Sequence, residues 1–116
     1  MSKIIVSVST TYQAEAATKA LLEGGFVTKI AQIHYNLNKG LPLPEDIHSY
    51  PLILEGRLAG VEANIYVNSV SAGYGGTGPH TLVDILKAAG FEFDESDILT
   101  PKLANSDGLI QFELIK

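Results

Sequence analysis

Four glycines lie within six residues in the stretch AGYGGTGPHTLVDIL, which spans residues 72–86. Three of them, Gly73, Gly75 and Gly78, have the spacing G-x-G-x-x-G between a predicted strand and a predicted helix, as in a dinucleotide-binding fingerprint. Glycines allow a ligand to approach the backbone closely, and a helix N-terminus offers free N–H groups and a partial positive charge. The pattern therefore indicates the binding of an anionic group.

Other features of this loop argue against the two common nucleotide templates. Pro79 suits the first position of a helix, so we expect the helix to begin after Gly78, whereas the Rossmann fingerprint keeps its last glycine inside the helix. The preceding strand, YVNSVSA, is polar, and about 38 residues follow the loop, too few for a doubly wound sheet. Pro79 also stands where a P-loop has its lysine. We therefore predict a general anion site and neither of these folds.

The predicted contacts are backbone N–H groups and a few side chains near the helix start. Thr77 and Thr81 bring hydroxyls, His80 brings an imidazole, and Tyr74 brings a ring on which a base could stack. The predicted ligand-binding residues are Gly73, Tyr74, Gly75, Gly76, Thr77, Gly78, His80, Thr81, Arg57 and Thr10. The alternative is architectural: the glycines would supply positive φ angles for a strand-to-helix reversal, with Thr77 or Gly78 as N-cap.

Arg57 is the only arginine of the chain, and the seven lysines form no basic run. A guanidinium can hold a carboxylate or a phosphate through two parallel hydrogen bonds, which an ammonium cannot do. Arg57 could therefore supply charge to the glycine loop, with Tyr66 as a second aromatic surface. The alternative is a cross-strand pair between Arg57 and either Glu55 or Glu62.

A second strand-to-helix junction is rich in hydroxyls. Residues 9–11, Ser-Thr-Thr, directly precede the first predicted helix. If the first and fourth strands are parallel, both helix N-termini lie at one edge of the sheet, and these hydroxyls face the glycine loop across a crevice. The alternative is a helix cap, because Thr10 and Gln13 have the spacing of a capping box.

The glycine loop also carries a resemblance. Residues 73–86, GYGGTGPHTLVDIL, resemble a motif of small uncharacterised bacterial and phage proteins, Gly-Tyr-x-Gly-(Ser/Thr)-Gly-Pro-x-x-Leu followed by a helix. The matching residues are Gly73, Tyr74, Gly76, Thr77, Gly78, Pro79 and Leu82, while Ala72 stands where a tryptophan often precedes the motif. The resemblance covers about 14 of the 116 residues and implies a recurring loop from phage-linked contexts, without an activity to carry over.

Other reactive side chains form no catalytic constellation. His34, His48 and His80 are separated by 14 and 32 residues, which fits no metal-ligand spacing, and no serine lies in a nucleophile elbow. We therefore predict no catalytic residue, no metal site and no cofactor, while a hydrolase that uses His48 or His80 stays open. The segment EFDESD, residues 92–97, carries four acids and is either a solvated loop or the acidic face of an inhibitor.

The composition limits the class of protein and its partners. The chain has 116 residues, 46% of them hydrophobic, which predicts a single domain over residues 1–116. A net charge of −5 without a basic run argues against duplex nucleic acid as a partner. There is no cysteine, no signal-peptide pattern and no apolar run of membrane-span length, so we expect a cytoplasmic protein without a membrane partner, in the host cytoplasm if it is phage-encoded.

The low content of charged residues points to a covered surface. Charged residues make up 18% of the chain. Soluble domains typically have about 25%. A surface poor in charge is often covered in part by another subunit, so we expect a homo-oligomer.

The predicted order of elements is β-α-β-β-β-α-β. The predicted elements are a strand over 3–9, a helix capped by Thr10 and ended by Gly24-Gly25, a strand over 26–37, a hairpin turning near Ala59-Gly60, a helix over 79–89 and a strand over 109–115. A long loop is predicted over 38–51, and one helical turn after Asp94. The fold class is α+β, a two-layer sandwich in which a single mixed sheet of about five strands carries two helices on one face.

These patterns lead to two main hypotheses about function, beside the hydrolase that would use His48 or His80. The first is a small-molecule binding protein for an anionic, nucleotide-like ligand, of the kind with which a phage sequesters a signalling nucleotide of host defence. The alternative is an immunity or inhibitor protein that contacts another protein through its acidic surface or a sheet edge.

Overall fold

The computed structural model describes residues 2–36, 50–72, 76–100 and 109–116. The elements in chain order are β1 (Ser2–Val6), α1 (Thr11–Glu23), β2 (Val27–Asn36), β3 (Leu52–Leu58), β4 (Val61–Val67), α2 (Thr77–Ala88), α3 (Ser96–Leu99) and β5 (Leu109–Ile115). The strands form one mixed sheet of five, so the predicted α+β fold class is confirmed. Of the loop predicted over 38–51, only Tyr50 and Pro51 belong to the described residues.

The strand order in the sheet is β1-β4-β3-β2-β5. Strand β1 runs parallel to β4, while β3 is antiparallel to β4 and to β2, and β5 is antiparallel to β2. The central strands β2, β3 and β4 follow one another along the chain, and the two terminal strands flank them. The sheet order therefore brings the loop after β1 next to the loop after β4.

Alternation along the strands gives the sheet an apolar face for the helices. Ala63, Ile65 and Val67 of β4 are buried, and their register partners on β3 include Leu54 and Leu52, which are also buried. Helices α1 and α2 contact each other and pack on this face. The helical members of the core include Ala14, Leu82, Val83, Ile85 and Leu86. Burying one such leucine or isoleucine side chain stabilises a fold by roughly 1.5–3 kcal/mol.

The two long helices end in the same way. In α1 the N–H of Gly25 donates to the carbonyl of Leu22, and the N–H of Phe26 donates to Leu21, at 3.2 and 3.1 Å. In α2 the pairs are Gly90 to Lys87 and Phe91 to Leu86, at 3.0 and 3.1 Å. The φ angles of Gly25 and Gly90 are 108° and 90°, so each helix ends in a Schellman motif with a glycine in the left-handed region.

The hairpin between β3 and β4 turns at Ala59 and Gly60, as predicted. Both residues have positive φ angles, 52° and 80°, which is the geometry of a type I′ turn. The predicted helical turn after Asp94 is present as α3. Among the helices of the described residues, none is both long and apolar enough to cross a membrane.

A β-bulge interrupts the pairing of β2 with β3. Thr28 pairs with Gly56 and Ile30 pairs with Glu55, which leaves Lys29 as an extra residue on β2. A Cβ atom on Gly56 would overlap the carbonyl oxygen of Val27. The bulge therefore depends on a glycine at position 56, because the two backbones approach too closely for a side chain.

Candidate functional site

The parallel pairing of β1 and β4 brings two helix N-termini to the same edge of the sheet. The register runs from Ser2 opposite Ala63 to Val6 opposite Val67, so the two strands end level. Helix α1 follows β1 and helix α2 follows β4. The first and fourth strands are therefore parallel, which is the condition under which both helix N-termini were expected at one edge of the sheet. We call this region, residues 7–12 with residues 68–72 and 76–78, the paired-helix edge.

Hydrogen bonds hold the two loops of the paired-helix edge together. The N–H of Asn68 donates to the carbonyl of Val6 at 3.1 Å, and the side-chain oxygen of Asn68 accepts from the N–H of Val8 at 2.8 Å. The hydroxyl of Ser69 donates to the carbonyl of Val8 at 2.7 Å, and Ser69 has a φ of 61°. Sequence reasoning read the polar strand end YVNSVSA only as an argument against a Rossmann strand, and missed its structural role.

The start of α1 is a modified capping box. The hydroxyl of Thr10 accepts from the N–H of Gln13 at 3.1 Å, and the side-chain oxygen of Gln13 accepts from the N–H of Ser9, also at 3.1 Å. The capping alternative for Thr10 is therefore what the structure shows. The N–H groups of Thr11 and Tyr12 belong to the first turn and have no acceptor within the helix.

Helix α2 begins earlier than predicted. Its N-cap is Gly76 and its first residue is Thr77, so Gly78 and Pro79 lie inside the first turn. The prediction of a start after Gly78, with Thr77 or Gly78 as N-cap, was wrong. Proline lacks only an N–H that would be unpaired in a first turn anyway, so it is accepted at the third helical position as well as at the first.

This correction changes how the glycine loop relates to the helix. Gly78 is buried in the first turn of α2, as the last glycine of a dinucleotide fingerprint would be. That reason for discounting a Rossmann site therefore fails. The sheet gives a different reason to discount a Rossmann site. A Rossmann sheet is mostly parallel, whereas β4 has a parallel neighbour on one side and the antiparallel strand β3 on the other.

The side chains of the first turn of α2 divide into exposed and buried ones. Thr77 and His80 are exposed, whereas Gly78, Pro79 and Thr81 are buried. Among the described residues, no side chain caps this helix, and its first bond runs from the N–H of His80 to the carbonyl of Gly76 at 3.2 Å. The N–H groups of Thr77 and Gly78 therefore have no acceptor within the helix. Gly73, Tyr74 and Gly75 lie outside the described residues.

The electrostatics of the paired-helix edge favour an anion. The first turns of α1 and α2 contain no acidic residue. A carboxylate at either position would neutralise the partial positive charge of the helix N-terminus. Neither first turn therefore neutralises its partial charge with a carboxylate of its own.

Arg57 and Tyr66 do not belong to this edge. Arg57 pairs with Glu62 at the beginning of β4, and five residues at about 3.3 Å each separate that position from the end of the strand. Its guanidinium donates to the carbonyl of Gly60 at 2.8 Å and lies 4.0 Å from the carboxylate of Glu62. Arg57 thus forms the cross-strand pair with Glu62 that the sequence offered as the alternative to ligand binding. Tyr66 is buried on the sheet face opposite the helices, with its ring 5.6 Å from that of Tyr50.

Sequence reasoning missed one aromatic side chain at the edge. Tyr12 lies in the first turn of α1 and is 79% exposed, the largest exposed fraction among the exposed large hydrophobic residues described. The signal was present, because Tyr12 directly follows the Ser-Thr-Thr junction. An exposed ring beside helix N–H groups can stack on a base or a sugar.

Two acids of the segment over residues 92–97 form hydrogen bonds or ion pairs within the chain. Asp94 accepts hydrogen bonds from Ser96, and Glu95 pairs with Lys87 at 2.8 Å. Hydrogen bonds from the backbone N–H and the hydroxyl of Ser96 lower the pKa of Asp94. Glu92 and Asp97 are exposed. Two of the four acids thus already have partners.

The histidines of the described residues lie apart from one another. His34 is 4% exposed on the sheet face opposite the helices, with Nε2 3.3 Å from the side-chain oxygen of Gln32, and His80 lies on α2. Among residues 2–36, 50–72, 76–100 and 109–116, no group of three or more His, Asp or Glu could hold a metal ion. His48 lies outside these ranges. Comparison with family models, curated proteins and solved structures found no match to this chain.

Proposed function

We propose that this protein binds a small anionic, nucleotide-like ligand at the paired-helix edge. One observation carries the proposal: two helix N-termini lie at the same edge of the sheet, and neither has an acidic residue in its first turn. Each N-terminus carries a partial charge equivalent to about half a proton. Two of them at one edge attract an anion more strongly than either alone.

The donors are backbone groups of both helices. Thr11 and Tyr12 of α1 and Thr77 and Gly78 of α2 are first-turn residues whose N–H groups have no acceptor within their helix. Such groups bind phosphates and carboxylates in many proteins. The exposed ring of Tyr12 offers a surface for a base, and the exposed side chains of Thr77 and His80 add polar contacts.

The biological role within this proposal is sequestration. The resemblance of residues 73–86 to a motif of small phage and bacterial proteins motivates it, as does the lack of a predicted catalytic constellation in the sequence. A signalling nucleotide of host defence combines the phosphate and the base that this edge could accept. Arg57 has no part in this site, because it lies at the opposite end of β4.

A substitution at the start of α2 tests the proposal. Thr77→Asp puts a carboxylate at the first helical position, where it interacts favourably with the helix dipole by about 0.3–1 kcal/mol and repels an anionic ligand. We expect the variant to keep or raise its melting temperature and to lose affinity about tenfold or more. Thr77→Asn, which is neutral, polar and similar in size to aspartate, is the matched control and should lose much less affinity than Thr77→Asp, at most the loss of one neutral hydrogen bond.

The ligand is sought first in the purified protein. The chain has no tryptophan and five tyrosines, so a co-purified nucleotide would be visible in the absorbance at 260 nm, and native mass spectrometry would give its mass. A panel of linear and cyclic nucleotides, with inorganic phosphate as the simplest anion, then follows by thermal shift. A ligand-free protein without a thermal shift, or equal binding by Thr77→Asp, would contradict the proposal and favour the protein-interaction alternative.

A further inference from the structure

A cavity of about 140 Å³ lies on the sheet face opposite the helices, away from the paired-helix edge. The side chains that line it belong to the neighbouring strands β2, β3 and β4. The polar members are Lys29, Glu55, Arg57, Glu62 and Asn64. The proposed anion site uses none of them, and Arg57 is the guanidinium that sequence reasoning selected for two-pronged binding.

The β-bulge explains how a lysine comes to line this cavity. Lys29 is the extra residue between the pairs Thr28–Gly56 and Ile30–Glu55. A bulge changes the direction of a side chain that would otherwise follow the alternation of the strand. The bulge thereby brings the Lys29 side chain to the same cavity as that of Arg57.

Within the described residues, the two cations Lys29 and Arg57 are only lightly engaged. Arg57 donates one hydrogen bond to the Gly60 carbonyl, and its contact with Glu62 is long, at 4.0 Å, between side chains that are 60% and 66% exposed. Within the described part of the chain, Lys29 forms no ion pair. The guanidinium of Arg57 has further N–H donors, and the ammonium of Lys29 has three. Both groups can therefore donate hydrogen bonds to the same carboxylate.

The described residues that line the cavity carry equal numbers of positive and negative charges. Two cations, Lys29 and Arg57, face two carboxylates, Glu55 and Glu62, so their formal charges sum to zero. The carboxylates repel a phosphate or a nucleotide and accept hydrogen bonds from an ammonium. Glu55 already accepts one bond from the side-chain nitrogen of Gln32 and keeps a second oxygen. Asn64 adds one amide to the lining.

We propose that this cavity binds a small zwitterion, with a free α-amino acid as the chemical class. The carboxylate of the ligand would contact Lys29 and Arg57, and its ammonium would contact Glu55 or Glu62. The volume suits such a molecule, since a cavity of about 150 Å³ holds benzene. This site is independent of the proposed anion site, because it differs in location, residues and ligand charge.

An NMR titration tests the proposal with defined probes. Glycine and L-alanine are added to ¹⁵N-labelled protein, and acetate and methylammonium are added separately as the two halves of a zwitterion. We expect saturable shifts at the amides of residues 29, 55–57 and 62–64 with both amino acids, and binding about tenfold or more weaker with either half. The lack of saturable shifts with the amino acids, or equally strong binding of acetate, would overturn the proposal.

Single substitutions separate binding from folding. Arg57→Gln and Lys29→Gln remove one cation each from exposed positions, and each should weaken amino-acid binding about tenfold while the spectrum stays dispersed. Lys87→Gln is the matched control, since it removes an exposed cation with a carboxylate partner on another surface. Unchanged affinity in both Arg57→Gln and Lys29→Gln would also overturn the proposal, whether or not the paired-helix edge binds an anion.

Discussion

Gly56 shows how much can depend on one missing side chain. It lies opposite the bulge of β2, where a Cβ atom would overlap the backbone carbonyl of Val27. Relief of that overlap requires a shift of backbone, because the clashing atom is not the end of a flexible side chain. The same residue also adjoins the charged cavity, so the bulge links the stability of the sheet to the placement of Lys29.

Gly56→Ala should therefore destabilise the protein strongly. We expect a loss of about 2 kcal/mol or more in the free energy of unfolding, as for other overpacked positions. Urea unfolding followed by circular dichroism measures this loss. Gly24→Ala is the control, because Gly24 has a φ of −77° and its nearest new contact would be the Ala20 carbonyl oxygen at 3.2 Å. Equal losses in both variants would argue against the close approach at the bulge.

Asp94 gives α3 a dependence on pH. It accepts hydrogen bonds from the N–H and the hydroxyl of Ser96 at 3.0 and 2.9 Å, which lower its pKa from the ordinary value of 3.8. Because the folded pKa lies below the unfolded one, the contribution to stability is present above the unfolded value. It is lost as the pH falls through the lowered folded value.

An NMR pH titration checks the behaviour of this carboxylate. The amide shift of Ser96 should follow the Asp94 carboxyl with a midpoint below 3.8. Asp94→Asn, which cannot ionise in this range, should leave the Ser96 amide without that transition. A midpoint at or above the ordinary carboxyl value would show that the two hydrogen bonds do not persist in solution.

At the scale of elements, the Gly-Phe pairs that end α1 and α2 do two things at once. Gly25 and Gly90 take the left-handed conformation, and the following Phe26 and Phe91 are buried at 4% and 6% exposure. The glycine satisfies the last carbonyls of the helix, and the phenylalanine fixes the direction in which the chain leaves. This repeated ending positions the helices on the sheet and hence their N-termini at the other end.

Gly25→Ala should cost about 1–2 kcal/mol of stability, because an L-residue with a side chain is strained at a φ of 108°. No atom lies within 4 Å of the new Cβ, so the cost reports backbone strain and not a clash. Gly25→Asn should cost less, since asparagine enters this region more readily. Thermal and urea unfolding compare the variants, and a larger loss for asparagine than for alanine would argue against the left-handed ending.

Features that depend on near neighbours in the chain were predictable from the sequence. The Thr10–Gln13 cap, the Ala59-Gly60 turn and the strand over residues 109–115 each follow from a few adjacent residues. The start of α2 was not predicted correctly, because a proline fits several positions of a first turn.

At the scale of the whole molecule, the strand order and the location of the site depend on pairing between strands that are distant in the chain, which the sequence did not predict. The neighbours β1 and β4 are separated by α1, β2 and β3, so their parallel register has no local signal. That register creates the paired-helix edge, and the antiparallel hairpin carries Arg57 to the far end of β4. Residues that sequence reasoning combined into one site thus fall into two regions with different chemistry.

The strand order also predicts how stability is distributed over the sheet. Strands β2, β3 and β4 each have a neighbour on both sides, while β1 and β5 each have one strand partner within the described residues. In hydrogen exchange on dilute protein, we expect the amides of β3 to exchange about tenfold or more slowly than those of β1. Equal rates in β1 and β3 would contradict this expectation.

The same measurement, repeated at high protein concentration, tests the homo-oligomer that the low charge content predicts. An edge strand offers unpaired N–H and C=O groups, and β1 also exposes 57% of Ile5, so strand pairing between subunits would protect β1 as the concentration rises. Native mass spectrometry gives the subunit number for the same samples. Concentration-dependent protection of β1 would locate the subunit contact there, and an oligomer without it would locate the contact elsewhere. A monomer at every concentration would contradict the prediction, and the low charge content would then need another explanation.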